Sequence, residues 1–305
     1  MMRHAFQWIR IGLALVVGVL ALGITWASWE ADRVMSRTYD VHADHGSPES
    51  SADRVESIER GRRLLEARYP CADCHGADFS GGTMVDAFPM GRLLGPNLTD
   101  GVGTVVSEYT YEDWDRIVRH GVKPDGTPSI MPSIDFREMS DQELADIVHY
   151  IASQPAVDNE VPTVKLGPLG MVLVATGQIP LSADELAGRT AHRAEPPATA
   201  VDVEFGAHLA AVCAGCHGPA LAGGPIRGGN PSWAPASNLT QHADGLADWT
   251  LEDFRRLIAD GVSRTGAATQ APMDLALPLM QRMTDVEVEA LWLYLESLEP
   301  LPTGG

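Results

Sequence analysis

The sequence predicts a mainly α protein, in which one N-terminal transmembrane helix is followed by two small all-α domains. Three observations lead there. An uncharged apolar stretch fills residues 11–29, residues 56–155 and 203–300 carry the same features in the same order, and the helix signals inside those two regions recur at matching positions. A fixed-offset recurrence of this kind marks an internal duplication.

Arg3, His4 and Arg10 precede the apolar stretch, and Glu30, Asp32 and Arg33 follow it. As a helix, residues 11–29 cover about the thickness of a hydrocarbon core, at roughly 1.5 Å per residue. Positive charge on the leading flank places the remaining chain outside the cytoplasm. Trp8, Trp26 and Trp29 sit near the two ends, where amphipathic rings favour the interface. A cleaved signal peptide shares the basic start and apolar centre. Trp26 and Trp29 flank the small pair Ala27 and Ser28, so no clear cleavage site is present and the anchor is the preferred reading. The expected location is the cytoplasmic (inner) membrane, crossed once, with the folded domains on the periplasmic or outer side.

Residues 1–30 thus form the anchor. Residues 31–54 are polar and without periodicity and read as a tether; if flexible, its reach is roughly 25–30 Å. Residues 55–155 form the first domain, 156–200 a proline-containing linker and 201–305 the second domain. Within the linker, apolar residues 166–174 are too few to span a bilayer and are broken by Gly167, Pro168 and Gly170, so they are expected to pack at the domain junction.

The duplication is detailed. Cys71-Ala-Asp-Cys74-His75 answers to Cys213-Ala-Gly-Cys216-His217, Gly81-Gly82 to Gly223-Gly224, Asn97-Leu98-Thr99 to Asn238-Leu239-Thr240, and Gly121-Val122 to Gly261-Val262. Thr110 with Asp113, Thr250 with Asp253, Ser140 with Glu143 and Thr284 with Glu287 have the spacing of capping boxes and mark helix starts. After the last two, Leu144, Ile147, Val148 and Ile151, and Val288, Leu291, Trp292 and Leu295, follow the i, i+3, i+4, i+7 rule for one buried face. A further helix runs into each cysteine motif, carrying Ile58, Leu64 and Leu65 in one copy and Phe205 and Leu209 in the other. No run between these elements alternates as a strand should.

All four cysteines lie in the two pentapeptides, so none is left for a disulfide. Two thiols three apart with a following histidine suit covalent attachment of a c-type haem, the thiols adding to its vinyl groups and the histidine reaching the iron. Structural zinc would draw both cysteine pairs from one compact unit, and a thioredoxin-like dithiol would want a βαβ context; neither fits two separate repeats. Two covalently bound haem c groups are expected, with Cys71, Cys74, Cys213 and Cys216 as attachment points and His75 and His217 as iron ligands. A methionine thioether as the sixth ligand favours electron transfer over substrate binding. Met131, on a loop with Pro124, Gly126 and Pro128, is the candidate in the first repeat. In the second, Met273 next to Pro272 best matches that placement, with Met280 as the alternative; Met283, Met84 and Met90 are less well placed. His42, His45, His120 and His149 have no repeated partner and read as solvated or structural.

Forty-one acidic against 22 basic residues give a formal charge of −19. Nucleic acid is therefore not an expected partner; a charge of that sign serves solubility, and equally would speed encounter with redox proteins that carry a basic docking surface.

Over about 200 residues the chain resembles two tandem class I cytochrome c domains, on the strength of Cys71-x-x-Cys74-His75, Cys213-x-x-Cys216-His217, the methionine loop and the closing helix. The resemblance implies that a glycine of the first helix packs against an aromatic of the last, here Gly61 with Tyr150 and Gly206 with Tyr294. It implies also that a Gly-Pro carbonyl holds the proximal histidine. Gly95-Pro96 fits in the first domain, whereas the second offers Pro235, two residues out of step. Asn-Leu-Thr, Trp114 or Phe254 in the middle helix, and the Met-Ser-Asp or Met-Thr-Asp helix start are similar to cytochrome subunits of bacterial dehydrogenases and respiratory complexes. The expected function is electron transfer between a membrane or periplasmic donor and an acceptor, as a carrier or a respiratory-complex subunit, not an enzyme in itself. The alternative is a dihaem enzyme, a peroxidase or a sulfur-compound dehydrogenase, with one exchangeable haem ligand.

Overall fold

A computed structural model describes residues 2–41, 54–189 and 192–305. Helix α1 runs over Met2–Met35, and its stretch Phe6–Met35 is long and apolar enough to cross a membrane. Leu13, Leu20, Leu22 and Trp29 are among its outward, uncovered side chains.

The end of α1 behaves differently. Ala31 and Val34 are buried in a small cluster with Val174 of α6 (Pro168–Ala175) and with Leu181. The apolar linker patch therefore packs under the base of α1 rather than between the two repeats. The helix also passes the expected boundary at residue 30, because Ala31 and Val34, one turn apart, find an apolar partner there. Beyond it the chain stays attached: the Tyr39 amide donates to the Gly126 carbonyl at 2.9 Å, and its hydroxyl to Asp184 at 2.6 Å. Arg37 pairs with Asp184 at 3.2 Å. The stretch read as a free tether thus begins as an ordered strap along the first domain. His42, His45 and the rest of 42–53 lie outside the described residues.

The first domain is built from α2 (Arg54–Ala67), α3 (Cys71–His75), α4 (Tyr111–His120) and α5 (Asp141–Ala152), with a single 3₁₀ turn at Ser133–Phe136. The second repeats it with α8 (Val203–Ala210), α9 (Ala214–His217), α10 (Leu251–Asp260) and α12 (Asp285–Ser297). All four expected capping boxes are formed, each with both reciprocal hydrogen bonds. In each domain the first and last helices cross at a glycine. A Cβ on Gly61 would stand 2.9 Å from Cβ of Tyr150, and one on Gly206 2.7 Å from Cβ of Tyr294. Side chains there would hold the helices apart, so both glycine–tyrosine pairs expected from the resemblance are present.

One departure is β structure. Antiparallel strands β1 (Gly82–Ala87) and β2 (Gly91–Gly95) form a hairpin, and the two-residue β3 (Lys165–Leu166) adds to its edge. Strands this short, glycine-rich and bulged between Thr83 and Val85 carry no clean alternation, which is why the period-2 signal is missing. The protein remains mainly helical.

The two domains dock directly. Arg68 of the first donates to Glu143 at 2.7 Å and also to the His208 carbonyl of the second domain, while His208 Nε2 lies 3.0 Å from Glu143. Arg63 pairs with Glu287, and Val212 packs against the core of the first domain.

Candidate functional site

Each pentapeptide forms a short helical turn that presents its histidine beside a core. Cys71 and Ala72 pack against the cluster of Leu65, Tyr69, Trp114 and Leu144. Cys213 and Ala214 pack against that of Phe205, Phe254, Leu291 and Trp292. Burial pushes the Cys71 thiol up to about 12 and Cys213 to about 11. These are unlike the depressed thiols of a redox dithiol, and an apolar wall of this kind suits the edge of a porphyrin.

The histidines are held alike. His75 Nδ1 donates to the Pro96 carbonyl at 3.0 Å and His217 Nδ1 to the Ser237 carbonyl at 2.7 Å. A proton fixed at Nδ1 leaves the lone pair on Nε2, the nitrogen that would bind iron. Burial moreover holds both imidazoles below the usual histidine range, against the opposing pull of the carbonyl bond, keeping them neutral as ligands must be. The residues present therefore fit a covalently attached haem in each domain.

In the first domain the acceptor is the Gly-Pro carbonyl that the resemblance implies. In the second it is Ser237, and Pro235 takes no part in this bond. Sequence reasoning missed Ser237, yet a signal existed: Pro96 and Ser237 both immediately precede the asparagine of Asn-Leu-Thr. That motif is itself a clamp. Asn97 Nδ2 donates to the Val157 carbonyl at 2.9 Å, and Asn238 Nδ2 to Leu301 at 2.7 Å. Each ties the segment carrying the histidine's acceptor to the chain leaving the last helix.

The methionine loops start from the same turn. Ser129 N–H donates to Gly121 at 2.7 Å and Thr269 N–H to Gly261 at 2.8 Å, with Gly121 and Gly261 left-handed at φ of 70° and 67° as helix caps. Met131 follows two residues after its turn and packs against the first core. Met273 follows four residues after and opens α11 (Met273–Met280). Among the described residues, Met280 and Met283 pack against the second core and Met273 lies outside it. The structure thus brings Cys71 and Met131 into one cluster, but Cys213 shares its cluster with Met280 and Met283.

The first domain also reaches the second attachment turn. Asp135, on the 3₁₀ turn after Met131, sits so close to Gly215 that a Cβ on Gly215 would strike its carboxylate. Gly215 is the second spacer of the second pentapeptide, so the methionine loop of one domain abuts the attachment motif of the other.

The cytochrome c family model matches residues 58–155 and 203–299. The chain is 27% identical over 266 residues to one of the subunits of the nicotinate dehydrogenase of Pseudomonas putida, covering 80% of this chain and 22% of that protein. It is 26% identical over 276 residues to the gluconate 2-dehydrogenase cytochrome c subunit of Pantoea cypripedii, covering 79% and 59%. To the cytochrome c subunit of the quinone alcohol dehydrogenase of Gluconacetobacter polyoxogenes it is 26% identical over 263 residues, covering 76% and 54%. This chain therefore spans less than two thirds of the length of each. With one match on each repeat, a Cys-x-x-Cys-His turn in each and a carbonyl behind each histidine, the chain belongs to the cytochrome c family.

Proposed function

We propose that this chain is a membrane-anchored dihaem cytochrome c that passes electrons, one at a time, from a dehydrogenase or other membrane or periplasmic donor towards an acceptor with a basic docking surface. Membership in the family implies covalently bound haem c, and one attachment turn per repeat supports two. The cofactor supplies a reversible one-electron couple at iron. The protein's own work is attachment through Cys71, Cys74, Cys213 and Cys216, iron ligation by His75 and His217, and exclusion of water by the two cores. Met131 and Met273 are proposed as the sixth ligands, Met273 by its position after the matching turn. Met280 is the second reading, favoured by its packing against the second core.

The observation that carries the proposal is the contact of the Met131 loop with the second pentapeptide through Asp135 and Gly215. It sets the first domain's methionine loop directly against the second attachment turn, which supports a relay between the two domains. The seating of α1 on α6, together with the strap at Tyr39, supports a subunit standing at a set height over its partner rather than a domain swinging on a leash. The names of the relatives point the same way, and the dihaem-enzyme alternative gains no support from them.

Isolation from the native membrane with complexes intact should recover an associated dehydrogenase or respiratory-complex subunit. Both ferric haems should be low-spin with the methionine–iron charge-transfer band. A high-spin second haem would overturn the carrier reading. Met273→Leu abolishing that band for the second haem, with Met280→Leu leaving it, would fix the ligand; the reverse result would assign Met280.

A further inference from the structure

Among the described residues, one group outside the haem sites converges as metal ligands do: Asp115, His120 and His192, with one donor atom from each lying within 4.8 Å of the others. We propose that these three form a binding site for a divalent first-row transition ion of the zinc class, which staples the interdomain linker to the first domain.

The geometry comes first. Asp115 and His120 stand on α4 and are buried, and His192 comes from the linker 72 residues further on. The two imidazoles meet edge to face, with centroids 4.9 Å apart. Their Nε2 atoms are 2.9 Å apart, Asp115 Oδ2 is 3.6 Å from His120 Nε2, and Asp115 Oδ1 is 3.9 Å from His192 Nε2. Around a tetrahedral ion with bonds of about 2.0 to 2.1 Å, donor atoms stand about 3.3 Å apart. The two Nε2 atoms stand closer than that and the carboxylate oxygens somewhat farther, so a bound ion would draw the Asp115 carboxylate in and part the two rings.

Next comes what the cluster lacks. Asp115 Oδ2 is buried and accepts no hydrogen bond, and its 3.6 Å separation from His120 is too long for one. A buried carboxylate oxygen without a donor is costly, and a cation between it and the two nitrogens would satisfy it. The charge has room for one. Arg119 is fully buried, pairs with Asp115, and reaches Asp141 at 2.7 Å. Two carboxylates against one guanidinium leave the group net negative by one when both imidazoles are neutral. Arg119 also holds Oδ1 of Asp115, orienting the other oxygen as outer partners of metal ligands do. Two imidazoles and a carboxylate suit zinc and its neighbours rather than magnesium or calcium.

The haem scaffold does not need this group. At the matching offset the second domain has Arg255 for Asp115 and Asp260 for His120, and it folds into the same helices. The site is a particular of the first domain, placed where the linker turns towards the second.

The test uses the full-length, haem-loaded protein in detergent, stripped with a chelator and titrated with zinc ion. The expected result is one zinc per chain surviving desalting and a higher thermal midpoint in its presence. His192→Gln and His120→Gln should each weaken zinc binding at least tenfold at unchanged haem content; His192→Gln lies in the linker and guards against misfolding of α4 as the cause. Retention of less than a tenth of an equivalent by the native chain would overturn the proposal, and so would binding by His192→Gln as tight as the native chain's.

Discussion

The two repeats carry the same haem-holding parts on unequal supports. Both have the helix crossing at a glycine, the capped helices, the carbonyl behind the histidine and the asparagine clamp. The first domain, however, is joined to α1 through the Tyr39 strap, to the linker through β3 on the edge of its hairpin, and to the second domain through Glu143. The second domain's described attachments run instead to the first domain and the linker: the Arg68–Glu143–His208 group, the Arg63–Glu287 and Arg282–Glu66 pairs, Val212 with Gly215 against the first domain, and Arg227–Glu185 and Glu204–Arg193 to the linker. The repeated parts make a haem site, and the unrepeated ones decide where that site stands.

The comparison breaks most completely at the thiols. Replacing Cys213 and Cys216 by alanine should remove one haem from the intact mass and leave the first domain's spectrum, whereas replacing Cys71 and Cys74 should remove the other. Loss of both haems from either variant would show that the domains do not mature independently.

The docking group comes next. Burial raises the Glu143 carboxyl, but the His208 hydrogen bond and the Arg68 charge outweigh it and bring it from 4.5 down to about 2. A carboxyl lowered by folding adds stability above its unfolded value and loses it as the pH falls through the folded one. The loss should therefore run from about pH 4.5 to about pH 2 and amount to about 3 kcal/mol. Glu143→Gln should abolish that step and cost about 3 kcal/mol at pH 7, by leaving Arg68 buried without its partner. Urea unfolding followed by Soret absorbance at several pH values measures both.

Gly61→Ala and Gly206→Ala should each cost about 2 to 3 kcal/mol, equally in the two domains, since each added Cβ meets backbone and a tyrosine Cβ. A much smaller cost at one crossing would show that its helices have room to part. The smallest effect separates two caps. Ser140 is fully buried with Glu143, whereas the Thr284 cap is exposed. Ser140→Ala should cost about 2 kcal/mol and Thr284→Ala about 1, read from the same unfolding curves.

Much of this was legible in the residues. The capping boxes mark four helix starts because their hydrogen bonds close within four residues. The pentapeptides declare their chemistry because both thiols and the histidine lie on one turn. The hairpin was not legible, because Gly82, Gly91 and Gly95 carry it by backbone approach rather than by side-chain alternation. Ser237 was hidden for a related reason: a carbonyl has no residue type to read, and only its register against Asn238 gives it away. His120 reads as a structural or solvated histidine until the fold brings His192 beside it.

What the sequence determined by itself is local: the apolar helix, the duplicated haem-attachment turns, the caps and the glycines at the crossings, all set by interactions within a few residues or by a repeated register. What tertiary structure alone decided is the pairing of distant segments: α6 beneath α1, Asp135 against Gly215, Glu143 with His208, and Asp115 with His192. Contacts between distant segments leave no periodic trace along the chain, because the free energy that forms them is collected only when the core has already brought their ends together.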